Sequence, residues 1–180
     1  MRFGSELVWF SDDLSARLED VQFTLGQGPG VAADFGEVPF QAADLAAVGR
    51  WPQFAAEARD LGVRALFVWP VRSGAATLGT LTGYRSEPGR LTPQQAVDGL
   101  RVADALAGWL LAWQPGLSMG TDGPGVIELY RAEVHQATGA LSCRLGVGME
   151  EALVRLRAQA FSSGHSLSET ARGILRELPA

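Results

Sequence analysis

Fifteen arginines, no lysine, two histidines and one cysteine set the side-chain chemistry of this 180-residue chain. Without lysine there is no Schiff base and no ammonium for a phosphate loop. Cys143 alone forms no intrachain disulfide and builds no zinc or iron–sulfur site. Both histidines, His135 and His165, lie late in the chain. Residues 1–120 therefore offer neither His nor Cys, which excludes a His- or Cys-ligated haem or a thioether-linked bilin there. Asp12-Asp13 and Glu19-Asp20 are adjacent carboxylates on a polar segment and read as solvated helix-start charges. No nucleophile–base or metal-ligating constellation emerges, so an enzyme is not expected, and neither is a cofactor. What remains is arginine chemistry, since the planar guanidinium pairs with phosphate in bidentate fashion and stacks on bases. Arg131, Arg144, Arg155, Arg157, Arg172 and Arg176 fall in the last 50 residues, interleaved with His135, Gln136 and Thr138.

Charge separates the two ends of the chain. The formal net charge is −5, and residues 1–120 hold nine arginines against thirteen acidic residues. That excess of acid disfavours nucleic-acid binding by the first part. Residues 126–180 balance six arginines with six glutamates, which permits such binding without demanding it. No apolar run reaches the roughly 18 residues of a membrane span. The start, MRFGSELVWFSDD, lacks the features of a signal peptide, so a cytoplasmic location and no membrane partner are expected.

Three helices must position the late arginines. Over 126–145, Ile127, Tyr130, Val134, Ala137, Leu141 and Leu145 form a seven-residue apolar repeat, the pattern of a bundle or coiled-coil seam. Over 149–161, Ala152, Leu153, Leu156 and Ala160 share a face, and Glu150 and Glu151 suit the positive end of the helix dipole. Gly148 caps this helix in place of a hydroxyl residue, at a cost of a few tenths of a kcal/mol. Ser166-Leu167-Ser168-Glu169 is a capping box opening a third helix, whose apolar residues are Leu167, Ala171, Ile174, Leu175 and Leu178. Cys143 reads as a small packing residue, with redox sensing second.

The preceding residues alternate between strand and helix signals. Glu6 to Phe10 predicts a strand, and Asp13 to Leu25 a helix with Leu14, Leu18, Val21 and Leu25 on one face. Gly26-Gln27-Gly28-Pro29-Gly30 is a tight turn without the Lys-Ser/Thr ending of a phosphate loop. Val38 to Phe40 predicts an edge strand, Pro52 opens a helix over about 53–61, and Val63–Val71 and Thr77–Tyr84 predict a hairpin turning at Ser73-Gly74. Thr92-Pro93 opens a long helix to about Trp113, with Ala96, Val97, Leu100, Ala103, Leu106, Ala107, Leu110 and Leu111 as a core stripe or parallel dimer seam. Gln114 to Gly125, with four Gly and two Pro, reads as a linker. Trp9, Trp51, Phe67 and Trp69 could line a small-ligand cavity between sheet and helices, with core packing as the plainer role. The expected fold class is α+β, an antiparallel sheet with flanking helices followed by an all-α three-helix domain.

Two family resemblances sharpen this division into residues 1–113, a linker at 114–125, and 126–180. The stretch Leu18-Glu19-Asp20-Val21-Gln22-Phe23-Thr24-Leu25-Gly26-Gln27-Gly28-Pro29, with Arg50-Trp51-Pro52-Gln53-Phe54, Gly62-Val63-Arg64-Ala65, Leu78-Gly79 and Tyr84-Arg85, resembles a GAF domain of the form found in small actinobacterial regulators. The match lacks the helix and strand that usually come first, and Gly30 stands where such loops often carry cysteine. Val134-His135-Gln136-Ala137-Thr138-Gly139-Ala140-Leu141, with Leu145-Gly146-Val147, the run Glu151 to Ala160 and Leu167-Ser168-Glu169-Thr170-Ala171, resembles an ANTAR domain, the RNA-binding output module of transcription antiterminators. The resemblance implies binding to paired RNA hairpins in a leader transcript, which prevents a competing terminator hairpin. It implies RNA contacts from Arg131, His135, Gln136, Thr138, Gly139, Arg144, Arg155 and Arg157. Thr138 stands where the family often has lysine, which implies weaker RNA affinity or shifts the burden of charge to Arg144 and Arg157. A plainer role for Arg157 is an ion pair with an acid on a neighbouring helix. A homodimer and an unidentified small-molecule ligand of the GAF-like half are the other implied partners. The alternatives are a DNA-binding helix-turn-helix around 162–165, and a ligand-sensing or protein-interaction module without RNA binding.

Overall fold

The computed structural model describes residues 9–31, 38–112 and 132–177. Its elements are α1 (Asp13–Leu25), β1 (Phe40–Ala42), a 3-10 turn (Leu45–Ala47), α2 (Pro52–Asp60), β2 (Ala65–Ser73), β3 (Ala76–Arg85), α3 (Pro93–Ala112), α4 (Ala132–Leu145), α5 (Met149–Ser163) and α6 (Leu167–Arg176). They form two compact units. One brings α1 together with α4, α5 and α6; the other holds β1 to β3, the 3-10 turn, α2 and α3.

The sheet unit is built on β2. The strands run antiparallel in the order β1-β2-β3, with Phe40 opposite Val68 and Trp69 opposite Leu81. Successive side chains of a strand face opposite sides, and β2 is buried on both: Ala65 through Trp69 are all enclosed. Ala65, Phe67, Trp69 and Val71 pack against Ala103 and Ala107 of α3, with Leu81, Leu106 and Leu110 around them. Leu66 and Val68 lie on the other side, opposite Ala42 and Phe40. Trp51 meets the Phe40 ring edge-on at 5.5 Å. The aromatic set expected to line one cavity is therefore divided. Phe67 and Trp69 sit under α3, Trp51 stands against Phe40 on the opposite side, and Trp9 belongs to the other unit and is exposed. Strand alternation puts Phe67 and Trp69 on one face and Val68 with its partner Phe40, which Trp51 meets, on the other.

α3 starts as expected, with Thr92 and Gln95 capping each other: Gln95 N–H donates to Thr92 Oγ1 at 3.2 Å and Thr92 N–H to Gln95 Oε1 at 3.0 Å. Its apolar stripe is broader than the contact it makes. Ala103 and Ala107 are buried, whereas Val97, Leu100 and Leu111 are exposed. The strand expected at Glu6 to Phe10 falls mostly outside the described residues, and Trp9 and Phe10 are not in a strand.

The helical unit has its own core: Val134, Ala137 and Leu141 from α4, Ala152, Leu156 and Ala160 from α5, and Leu167, Ala171 and Ile174 from α6. Four of these nine residues are alanines, which let the helix axes approach closely. Gly146 and Gly164 end α4 and α5 in the left-handed region, with φ of 64° and 67°. α6 opens on the predicted capping box, in which Glu169 N–H donates to Ser166 Oγ at 3.2 Å and Ser166 N–H donates to Glu169 Oε2 at 2.9 Å.

α1 belongs to this unit. The sequence places it with the sheet, but it packs on α5 and α6 instead. Its start is a second capping box, Asp12 with Ser15, and Gly26 ends it at φ 62°. Phe23 leans on the core formed by α4 to α6. Local sequence signals fixed the bounds of α1, but nothing local could name a partner more than 130 residues away.

The capping box gives a pH-dependent test. Ser166 backbone and side-chain hydrogen bonds hold the Glu169 carboxyl below its ordinary value. A depressed carboxylate contributes stability above its unfolded value and loses it as pH falls through the folded one. Helicity at the start of α6 is expected to fall as pH drops below the ordinary glutamate range. Glu169→Gln, which keeps the geometry without the charge, should flatten that part of the profile. The measurement is amide-resolved NMR of Ser166 and Glu169 against pH. Because the carboxylate is exposed, the effect on global stability is small.

Candidate nucleic-acid interface

α4 buries one face and presents another. Val134, Ala137, Thr138 and Leu141 point inward, at the 3, 1, 3 spacing that winds around one side of a helix. Gln136, Cys143 and Arg144 are exposed, with Gly139 and Ala140 half-buried between them. A glycine inside a helix costs about 0.5–1 kcal/mol relative to alanine. A side chain built at Gly139 would meet nothing within 4 Å, so intramolecular packing among the described residues does not require it. The result is a stretch of nearly bare helix backbone flanked by a glutamine and an arginine. Cys143 stands on this exposed face as a free thiol, contrary to the packing role expected of it.

The other expected contact residues are distributed unevenly. Thr138 is 1% exposed, and its hydroxyl donates to the Val134 carbonyl at 2.6 Å. It faces the core, so it presents no group to a ligand and the missing cation at this position leaves no gap in the surface. Its place four residues after Val134 and three before Leu141 carried that information; its polar type concealed it. His135 is half-buried. Arg131 lies outside the described residues. On α5, Arg155 is exposed and paired with Glu151 one turn earlier. A solvated pair of this kind contributes only about 0–1 kcal/mol, so the guanidinium can exchange to a phosphate at little cost. On α6, Arg172 and Arg176 are both exposed.

Arg157 behaves differently. Its Nε donates to the Phe23 carbonyl of α1 at 3.0 Å, and its guanidinium carbon lies 5.3 Å from the centre of the Phe23 ring. The plainer expectation was an ion pair with an acid on a neighbouring helix; these contacts run to a helix-end carbonyl and an aromatic face of α1. Phe23, Thr24 and Gly26 were not foreseen at this site, and no local signal in the sequence points to them.

Comparison with known proteins bears on the same helices. Residues 130–175 match the family model of the ANTAR domain. The matched residues are those of α4, α5 and α6 with the turns between them, so this chain carries an ANTAR domain at its C-terminal side. No curated protein matches the sequence significantly. Among solved structures, the chain is similar to a domain of a protein described as a two-component sensor histidine kinase, from Sinorhizobium meliloti 1021. The identity is 13%, the match covers 53% of this chain and 87% of that one, and the TM-score is 0.41. A likeness at that level carries no functional weight. No helix among the described residues is long and apolar enough to cross a membrane.

Proposed function

We propose that this protein is a signal-responsive regulator of transcription antitermination, whose ANTAR domain binds paired hairpins in a leader transcript. The match of residues 130–175 to the ANTAR domain carries the reading. The surface chemistry supports it. RNA loops offer splayed bases and dense phosphate, and the outer side of α4 offers Gln136, a bare backbone at Gly139, and Arg144. Arg155, Arg172 and Arg176 add exposed guanidinium groups on the next two helices. In this reading the sheet unit is GAF-like, senses a small molecule or mediates dimerisation, and acts in the cytoplasm where transcripts are made.

Electrophoretic shifts with a synthetic RNA carrying two short tandem hairpins test the reading. The full chain should bind this RNA in preference to a duplex DNA of equal length, with affinity falling as salt rises. Arg144→Ala should weaken binding roughly tenfold, the loss of one charge-assisted contact. Tight binding to the DNA duplex without preference for RNA would instead favour a helix-turn-helix role for α5 and α6. Binding to neither would leave a sensor or protein-interaction module.

A further inference from the structure

Arg157, an expected RNA contact, is engaged by α1, a helix more than 130 residues away in the sequence. Three features of α1 converge on it and on the start of α6. The Phe23 carbonyl, in the last turn of α1 and already reached by the Gly26 N–H at 3.3 Å, accepts the Arg157 Nε–H at 3.0 Å. A cation at this end of a helix is favoured by the macrodipole, and the Phe23 ring adds a cation–π contact at 5.3 Å. At Gly26 a side chain would be strained by φ 62°, and its Cβ would press to 3.1 Å from Arg157 Nη1. The glycine thus serves both the turn and the close approach of the guanidinium. Next to Phe23, Thr24 Oγ1 accepts the Leu167 N–H at 3.4 Å, meeting one of the donors left open at the start of α6.

We propose that α1 is an intramolecular clasp on the ANTAR domain. With RNA as the ligand, as proposed above, α1 and RNA compete for Arg157. The Nε–H is a single donor, so while it serves the Phe23 carbonyl the Nε edge of the guanidinium cannot grip a phosphate in bidentate fashion. Docked α1 holds this edge; released α1 frees it. The apparent dissociation constant for RNA is then the intrinsic one divided by the fraction of molecules with α1 undocked. α1 leads directly into the glycine-rich turn at 26–30, so a change in that segment has a short covalent route to the clasp.

The test uses the full chain and the two-hairpin RNA. Hydrogen exchange of the wild type comes first, because it needs no substitution: saturating RNA should reduce amide protection across α1 while leaving α4 protected. Phe23→Ala should tighten RNA binding by about tenfold, and Thr24→Val, a near-isosteric change that removes the acceptor for Leu167, by a smaller factor. Arg157→Ala placed on Phe23→Ala should cancel the gain. If wild-type RNA binding leaves α1 protection unchanged or raises it, α1 is a permanent fourth helix and the clasp is overturned while RNA binding stands. The same holds if Phe23→Ala folds and binds no more tightly. If no variant binds RNA under any condition, the RNA reading fails and the competition fails with it.

Discussion

Replacing Gly99 by alanine is expected to destabilise the sheet unit by about 1–3 kcal/mol, the usual cost of overpacking a filled core. Helix propensity alone gives the opposite sign, because alanine is the better former by about 1 kcal/mol. The contact decides. A methyl group at Gly99 would lie 2.7 Å from Nε1 of Trp69 and closer still to Cε2 and Cζ2. The far edge of the indole lies over Gly83, where a Cβ would stand 3.2 Å from Cζ3. Trp69 is 7% exposed and belongs to the core between β2 and α3. It fills a slot made by two glycines, one on a strand and one on a helix. Urea denaturation followed by amide exchange in β2 would measure the loss. Trp69→Phe combined with Gly99→Ala should recover part of it, because the two sites touch and their effects are not additive. A stabilised Gly99→Ala protein would refute the slot.

How far the sequence disclosed this architecture depended on the range of each signal. Capping and periodicity are local, so α1, α3, α5 and the Ser166 capping box were legible to within two residues at their described ends. The face of each ANTAR helix was legible too, because Ala152, Leu156, Ala160, Ala171 and Ile174 follow the helical period. Three features were not read. Thr138 sits in phase with the core, but residue type outweighed phase in the reading. Trp51 and Trp69 are both aromatic and buried, and only the pairing register shows that the sheet separates them. The contact of α1 with α5 and α6 spans the whole chain, and neither propensity nor periodicity carries a distance of that kind. A glycine inside a helical pattern was the one usable warning of close approach. At Gly99 it marked an indole, whereas at Gly139 nothing among the described residues comes within 4 Å of where a Cβ would stand.

Replacing Leu156 by alanine should have the largest effect on the ANTAR domain. Leu156 is fully enclosed at the centre of a core that holds four alanines and few large side chains. Deleting a buried leucine to the β-carbon costs about 2–5 kcal/mol, and the upper part of that range applies where the surroundings cannot collapse into the space. Alanine neighbours have little side chain with which to fill it. A core of this size supplies a net stability of only about 3–5 kcal/mol, so the substitution should remove most of it. Amide protection in α4, α5 and α6 should fall towards that of an unfolded chain, and the protection of α1 should fall with it, because Phe23 leans on the same core. Hairpin RNA binding should be lost at the same time, whereas β2 and β3, which draw on a separate core, should keep their protection. Loss of protection in α4 to α6 with α1 retained would show that α1 does not depend on this core. Retention of protection throughout, with stability lowered by less than about 1 kcal/mol, would mean that the helices close around the missing side chain more readily than their alanine-rich packing allows.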